Sequence, residues 1–179
     1  MHPRLAELLT YADRTRGELL AVVGSLTADQ LQAPAPDGGW SVAQHLGHLH
    51  LVEQSSVRAL FRAFRNARGA GLGMETETGS VVGALDATDL VAGTRKLQAP
   101  EFVRPTDSPT LEDAMARLSA SRAGLRAWAA EADGFALTTV RFPHPALGDL
   151  NLYEWVAMIA GHEDRHTRQI RAALAGARA

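Results

Sequence analysis

Apolar residues recur along this chain at three- and four-residue steps in four long stretches, separated by segments with a different rhythm. Over residues 4 to 24, Leu5, Leu8, Leu9, Ala12, Leu19, Leu20 and Val23 form the stripe of a first amphipathic helix. Thr27-Ala28-Asp29-Gln30 has the spacing of a capping box and predicts a short helical turn. The Pro- and Gly-rich residues 33 to 39 then break the chain. Ser41 is a natural N-cap for a second helix reaching to about Asn66. Val42, Leu46, Leu49, Val57, Leu60 and Phe64 make its apolar arc, with Arg58, Arg62 and Arg65 opposite.

Residues 67 to 109 carry Gly69, Gly71, Gly73, Gly79, Gly83 and Gly93, then Pro100, Pro105 and Pro109, and predict a long crossover. Residues 81 to 90 have the composition of a short helix or strand within it. A connection of this length in a compact domain covers something or shapes a pocket. A third helix begins at Pro109 or Thr110, with Leu111, Met115, Leu118, Leu125 and Ala129 as its stripe. Residues 131 to 142 predict a turn with an extended piece at 137 to 140. Asn151, with Glu154 three residues on, caps a final helix over residues 152 to 175. The expected fold is all-α: a single four-helix-bundle domain over residues 1 to 179, with a long crossover between the second and third long helices.

The chain's 179 residues, 46% hydrophobic and 21% charged, suit one globular domain. No apolar run approaches the roughly 20 residues of a membrane span, and no apolar signal core follows Met1-His2-Pro3-Arg4. A net charge of −2 with scattered arginines argues against nucleic acid as a partner. Cysteine is absent, which excludes disulfides, thiolate zinc ligands and a cysteine nucleophile, and fits a cytoplasmic location.

The chemistry lies in polar residues placed on apolar arcs. In the final helix, His162 and His166 share the arc of Trp155, Ile159 and Ile170, while Asp164, Arg168 and Arg171 lie opposite. Two imidazoles four residues apart on one helix face can share a divalent cation. Alternatively, they are two core histidines, each bonded to a backbone carbonyl. Glu163 falls at the edge of the same arc. Glu53 sits near the middle of the second helix's apolar arc, as half of a buried ion pair or as a group that moves protons near a site. Arg122 stands in the third helix's stripe, placed to pair with a carboxylate or to meet an anionic ligand.

His162-Glu163-Asp164-Arg165-His166 matches the zinc-peptidase pattern H-E-x-x-H, but residues 167 to 179 contain no acid or histidine to complete that site. The E-x-x-H of di-iron bundles needs a second copy, and no other Glu precedes a His by three. A third ligand can come from the second helix, which offers His45, leaning towards the core, His48, at the margin of the arc, and His50, pointing away.

The order Trp40-Ser41-Val42-Ala43-Gln44-His45-Leu46-Gly47-His48-Leu49, then Phe142-Pro143-His144-Pro145-Ala146-Leu147-Gly148, then the H-x3-H helix resembles the DinB-like superfamily, over residues 5 to 174. The resemblance implies a three-histidine divalent site made by His48, His162 and His166, with zinc or nickel as its metal. Three imidazoles leave a coordination position open, as in catalytic sites. The resemblance also implies a metal-dependent enzyme, foremost a thiol-dependent S-transferase, and a homodimer, for which Phe61 and Val57 offer a surface. In that reading a low-molecular-weight thiol is the co-substrate and Arg122 anchors the thiol's charge; Glu53 and Glu163 are candidate catalytic groups, as proton acceptors for hydrolysis. A metal-dependent hydrolase and a non-catalytic metal- or ligand-binding stress protein are the alternatives.

Overall fold

A computed structural model describes residues 1–36, 38–82 and 98–176. It is a four-helix bundle. Helix α1 (Pro3–Val23) starts on Pro3, whose missing N–H is one the first turn does not need. The short α2 (Ala28–Gln32) and the long α3 (Val42–Gly69) each open on a complete capping box, Thr27 with Gln30 and Ser41 with Gln44. Helix α3 runs three residues beyond Asn66, until Gly71 turns the chain at φ 91°. Helix α4 (Leu111–Ala132) is capped by Thr110, whose hydroxyl accepts from the Asp113 amide. Helix α5 (Leu152–Gly176) is preceded by a reciprocal pair: the Glu154 amide donates to Asn151, and the Asn151 amide donates to Glu154.

Between α4 and α5 the structure departs from expectation. Residues Leu137–Thr139 form a 3-10 turn, and the extended chain comes later, as β1 (Arg141–His144) and β2 (Gly148–Asn151). These two strands pair antiparallel as a hairpin closed by Gly148 at φ 76°. Leu137, wholly buried, is pulled into the core as an anchor, and Pro143 is tolerated because a two-stranded hairpin is all edge. Of the segment 81 to 90, only Val81 and Val82 are among the described residues; the rest of that expectation lies outside them. The Val81 amide donates to Glu7 at 2.8 Å, which fastens the start of the crossover to α1.

The core falls into two apolar clusters, one at each end of the bundle. One gathers Leu5, Leu8 and Ala12 of α1, Val57, Leu60 and Phe64 of α3, Leu125 and Trp128 of α4, and Trp155 and Ile159 of α5. The other gathers Leu19 and Val23, Val42 and Leu46, Ala114 and Leu118, and Ile170. Their order along each helix fixes the directions. Helices α1 and α5 run one way and α3 and α4 the other, so the chain leaving α3 must travel back along the bundle before α4 can start. That is the physical reason for the long crossover. Its end is a 3-10 turn at Glu101–Val103, with Val103 buried.

Between the two clusters lies a polar layer of Thr15, Glu53, Ser121, Arg122, Glu163, His166 and Thr167, all buried. All four long helices contribute to it.

Candidate metal centre

Two helices build one side of this layer. His48 projects from the second turn of α3, and His162 and His166 lie one turn apart on α5. His162 Nε2 lies 3.2 Å from His48 Nε2 and 3.1 Å from His166 Nε2. The ligand atoms of all three lie within 4.8 Å of one another. With a metal–nitrogen bond of about 2.0–2.1 Å, two nitrogens on one ion sit roughly 2.9 Å apart at a right angle and roughly 3.3 Å apart at the tetrahedral angle. The two separations from His162 fall between.

Protonation supports the same reading. Burial lowers the pKa of His48 and holds that of His166 well below its ordinary value; the charges of neighbouring histidines and Arg165 push His166 the same way. His162 keeps an edge open to solvent by area but is enclosed by neighbouring atoms, and burial, then His48 and Arg165, push it down to about 3. All three rings are therefore neutral at physiological pH, each with one N–H and one lone pair. His48 Nδ1 lies 2.7 Å from the Val103 carbonyl, which can only accept. The proton is on Nδ1, and the Nε2 lone pair faces His162. His162 Nε2 faces both that lone pair and His166 Nε2, and a cation among the three nitrogens would take a lone pair from each. These residues fit a divalent ion.

Further groups set the surroundings. Trp40, the residue before the α3 cap, lies against the rings of His48 (4.8 Å between centroids), His45 (5.6 Å) and His166 (6.4 Å, interplanar angle 21°). His45 is buried, as its place on the arc predicts, and lies on the far side of His166 from the triad's Nε2 atoms, with the two Nδ1 atoms 3.0 Å apart. The structure groups His48, not His45, with the α5 pair. The hairpin lays His144 over Trp155 at 4.9 Å.

Glu53, Glu163 and Arg122 come together on the other side of His162, in a quartet completed by Arg16. Arg122 Nε donates to Glu53 at 2.6 Å and its terminal nitrogen to Glu163 at 3.0 Å. Arg16 donates to Glu53 at 2.8 Å and to Glu163 at 2.5 Å. Ser121 adds a bond to Glu53 and Thr15 one to Glu163. Arg122 also donates to the Ala12 carbonyl. Two carboxylates and two guanidiniums cancel in charge, which makes their burial tolerable. Between alternatives, Glu53 takes the buried ion pair and Arg122 the carboxylate partner.

A narrow cleft joins the quartet to His162, with Leu49, Val52 and Ile159 as its apolar wall. It leaves only about 10 Å³ for a water-sized occupant, against roughly 300–1,000 Å³ for common ligand pockets. Only a small part of a substrate fits there among the described residues.

Sequence reasoning missed four contributors. Thr15 occupies the stripe position between Ala12 and Leu19, a gap in the apolar rhythm that marks where α1 meets polar company, and Arg16 is its neighbour. The Val103 carbonyl has no sequence signal, because any residue carries one. Trp40 was visible as part of the motif, but its contact with three imidazoles was not.

No curated protein matches the chain. Among solved structures it is similar to TT2238, described as a four-helix bundle protein, with 26% identity, a TM-score of 0.65, and coverage of 94% of this chain and 98% of that one. The family model of the DinB superfamily matches residues 11–170, a span that contains all three clustered histidines and the whole quartet. On that match the chain belongs to the DinB superfamily.

Proposed function

We propose that this protein is a metal-dependent thiol S-transferase: sulfur of a small-molecule thiol would bond to carbon of an electrophile, opening an epoxide to an alcohol or expelling a halide, as the thiol gives up its proton. The observation that carries the proposal is the convergence of His48, His162 and His166 Nε2 beside a cleft that reaches His162. These three residues would hold zinc or nickel and leave part of the ion's surface to an incoming ligand. A divalent ion there favours the thiolate form of a bound thiol over the thiol at neutral pH.

The chain's own residues orient and exclude. Val103 and Trp40 fix the ring of His48, and Leu49, Val52 and Ile159 keep one wall of the cleft apolar. With no cysteine in the chain, the sulfur has to come from a co-substrate. Arg122 is held by Glu53, Glu163 and the Ala12 carbonyl, so it serves this reading by fixing the cleft's charged wall, and a thiol's acidic groups would be met elsewhere. A cytoplasmic location fits a reaction that needs reduced thiol. No described helix is long and apolar enough to cross a membrane.

The hydrolytic alternative needs a proton acceptor. Glu53 and Glu163 each already accept from Arg16 and Arg122 and from one hydroxyl, which weakens that alternative and strengthens the non-catalytic metal-binding one. One experiment separates the three. Zinc- or nickel-loaded protein is given haloalkyl and epoxide electrophiles, with and without a panel of low-molecular-weight thiols. Turnover only with thiol supports transfer, turnover without it supports hydrolysis, and no turnover across the panel favours the binding protein.

A further inference from the structure

His45 is the one buried histidine of α3 that the metal triad leaves out, and it is not idle. Its Nδ1 lies 3.0 Å from Nδ1 of His166. At that distance, one nitrogen must carry the proton and the other must present its lone pair. His166 turns its other nitrogen, Nε2, towards His162 at 3.1 Å. For that Nε2 to offer a lone pair to a cation, the His166 proton has to sit on Nδ1, and His45 Nδ1 has to accept it. Trp40 limits the alternatives by lying near-parallel to the His166 ring and edge-on to the His45 ring.

We propose that His45 is a positioning residue of the metal centre: by accepting the Nδ1–H of His166 it selects the tautomer in which Nε2 faces the ion. This rests on the three-histidine metal reading given above. Histidine ligands ordinarily give their second N–H to a carboxylate, a backbone carbonyl or water. Here His48 uses the Val103 carbonyl, and His166 uses another imidazole. The arrangement also gives a reason for a second buried histidine on α3, three residues before the ligand.

The test compares His45→Leu, which removes the acceptor, with His45→Asn, whose side-chain oxygen can occupy the place of Nδ1. Zinc affinity is measured by competition with a chelator, alongside His162→Ala. His45→Leu is expected to bind one zinc per chain about 10–100-fold more weakly than the wild type, and His45→Asn to recover most of the loss. A merely structural role would not be rescued by restoring one acceptor atom. Nitrogen NMR of the zinc-loaded wild type supplies a second readout, with the His166 proton expected on Nδ1. Unchanged affinity in a folded His45→Leu protein overturns the proposal, as does loss of zinc stoichiometry in His45→Asn, which would make His45 a ligand. If His45→Leu does not fold, a His166 proton found on Nε2 in the zinc-loaded wild type overturns it. Should His162→Ala bind zinc as well as the wild type, the metal reading itself fails, and that result is distinct from failure of the His45 claim alone.

Discussion

The Val103 carbonyl accepts from His48 Nδ1 at 2.7 Å, so the last turn of the crossover is tied to a histidine of the proposed metal centre. Val103 is buried, and its own amide donates back to Pro100 at 3.1 Å. Ordering His48 therefore orders the 3-10 turn, and the reverse. Zinc loading is expected to slow amide hydrogen exchange at Val103 and Arg104, both bonded inside that turn. Exchange there that does not change when the metal is bound would mean the turn and the site are independent.

The quartet of Arg16, Glu53, Arg122 and Glu163 is expected to matter for stability more than for the metal. Arg122→Met leaves two buried carboxylates short of a partner, and breaking a buried pair in this way costs about 3–5 kcal/mol. For a chain of this size each kcal/mol is worth about 2–4 °C in melting temperature. Calorimetry should show a fall of roughly 6–20 °C, with zinc affinity of the folded protein little changed. A variant that melts like the wild type but loses catalysis would place Arg122 in the chemistry.

Acid should destabilise the metal-free protein. Burial pushes His162 from about 6.5 down to about 3 and moves His166 in the same direction. Below pH 6.5 the unfolded chain takes up protons that the folded rings refuse, so stability is full above that pH and falls as the pH drops towards 3. Each such imidazole contributes a slope of about 1.4 kcal/mol per pH unit. Denaturant unfolding in chelator at pH 7.5 and 5.5 measures it, and His162→Gln should flatten the slope. A wild-type apo-protein equally stable at both values would contradict neutral burial of these rings.

Association is expected to involve Phe61. Of the two residues offered for a dimer surface, Val57 is buried within the chain's own core, while Phe61 is half-buried with the Arg65 guanidinium 4.7 Å from its ring centre. If the protein is a homodimer through this face, sedimentation at micromolar concentration should give a dimer for the wild type and a monomer for Phe61→Arg. A wild-type monomer would remove the homodimer from the account.

The parts of this protein legible in its sequence are those where one local rule decides. The caps at Thr27 and Ser41 and the Asn151–Glu154 pair are local hydrogen-bond patterns, and each forms; the third long helix starts at Leu111, with Thr110 as its cap and Pro109 left outside. The inward turn of His162 and His166 follows from helical period alone. What could not be read depends on partners distant in sequence. Glu53 looked like either a buried pair or a proton carrier, and only Arg16 and Arg122, arriving from two other helices, decide where its oxygens point. Helical geometry placed His45 deeper than His48. Both are buried, and which one joins the α5 pair depends on how α3 and α5 are rotated against each other. The hairpin at Arg141–His144 and Gly148–Asn151 escaped because two four-residue strands carry too little alternation to register.

The central claim is that His48, His162 and His166 together hold one divalent ion. Equilibrium dialysis of purified protein against zinc, and separately nickel, followed by elemental analysis, tests it most directly when the wild type is set beside His48→Ala, His162→Ala and His166→Ala. One ion per chain is expected in the wild type, with each substitution weakening binding by more than the roughly 10–100-fold that loss of an outer hydrogen-bond partner costs, while circular dichroism shows the helices intact. Full stoichiometry and affinity in folded His162→Ala protein would contradict the account, because His162 is the ring that lies within 3.2 Å of both of the others.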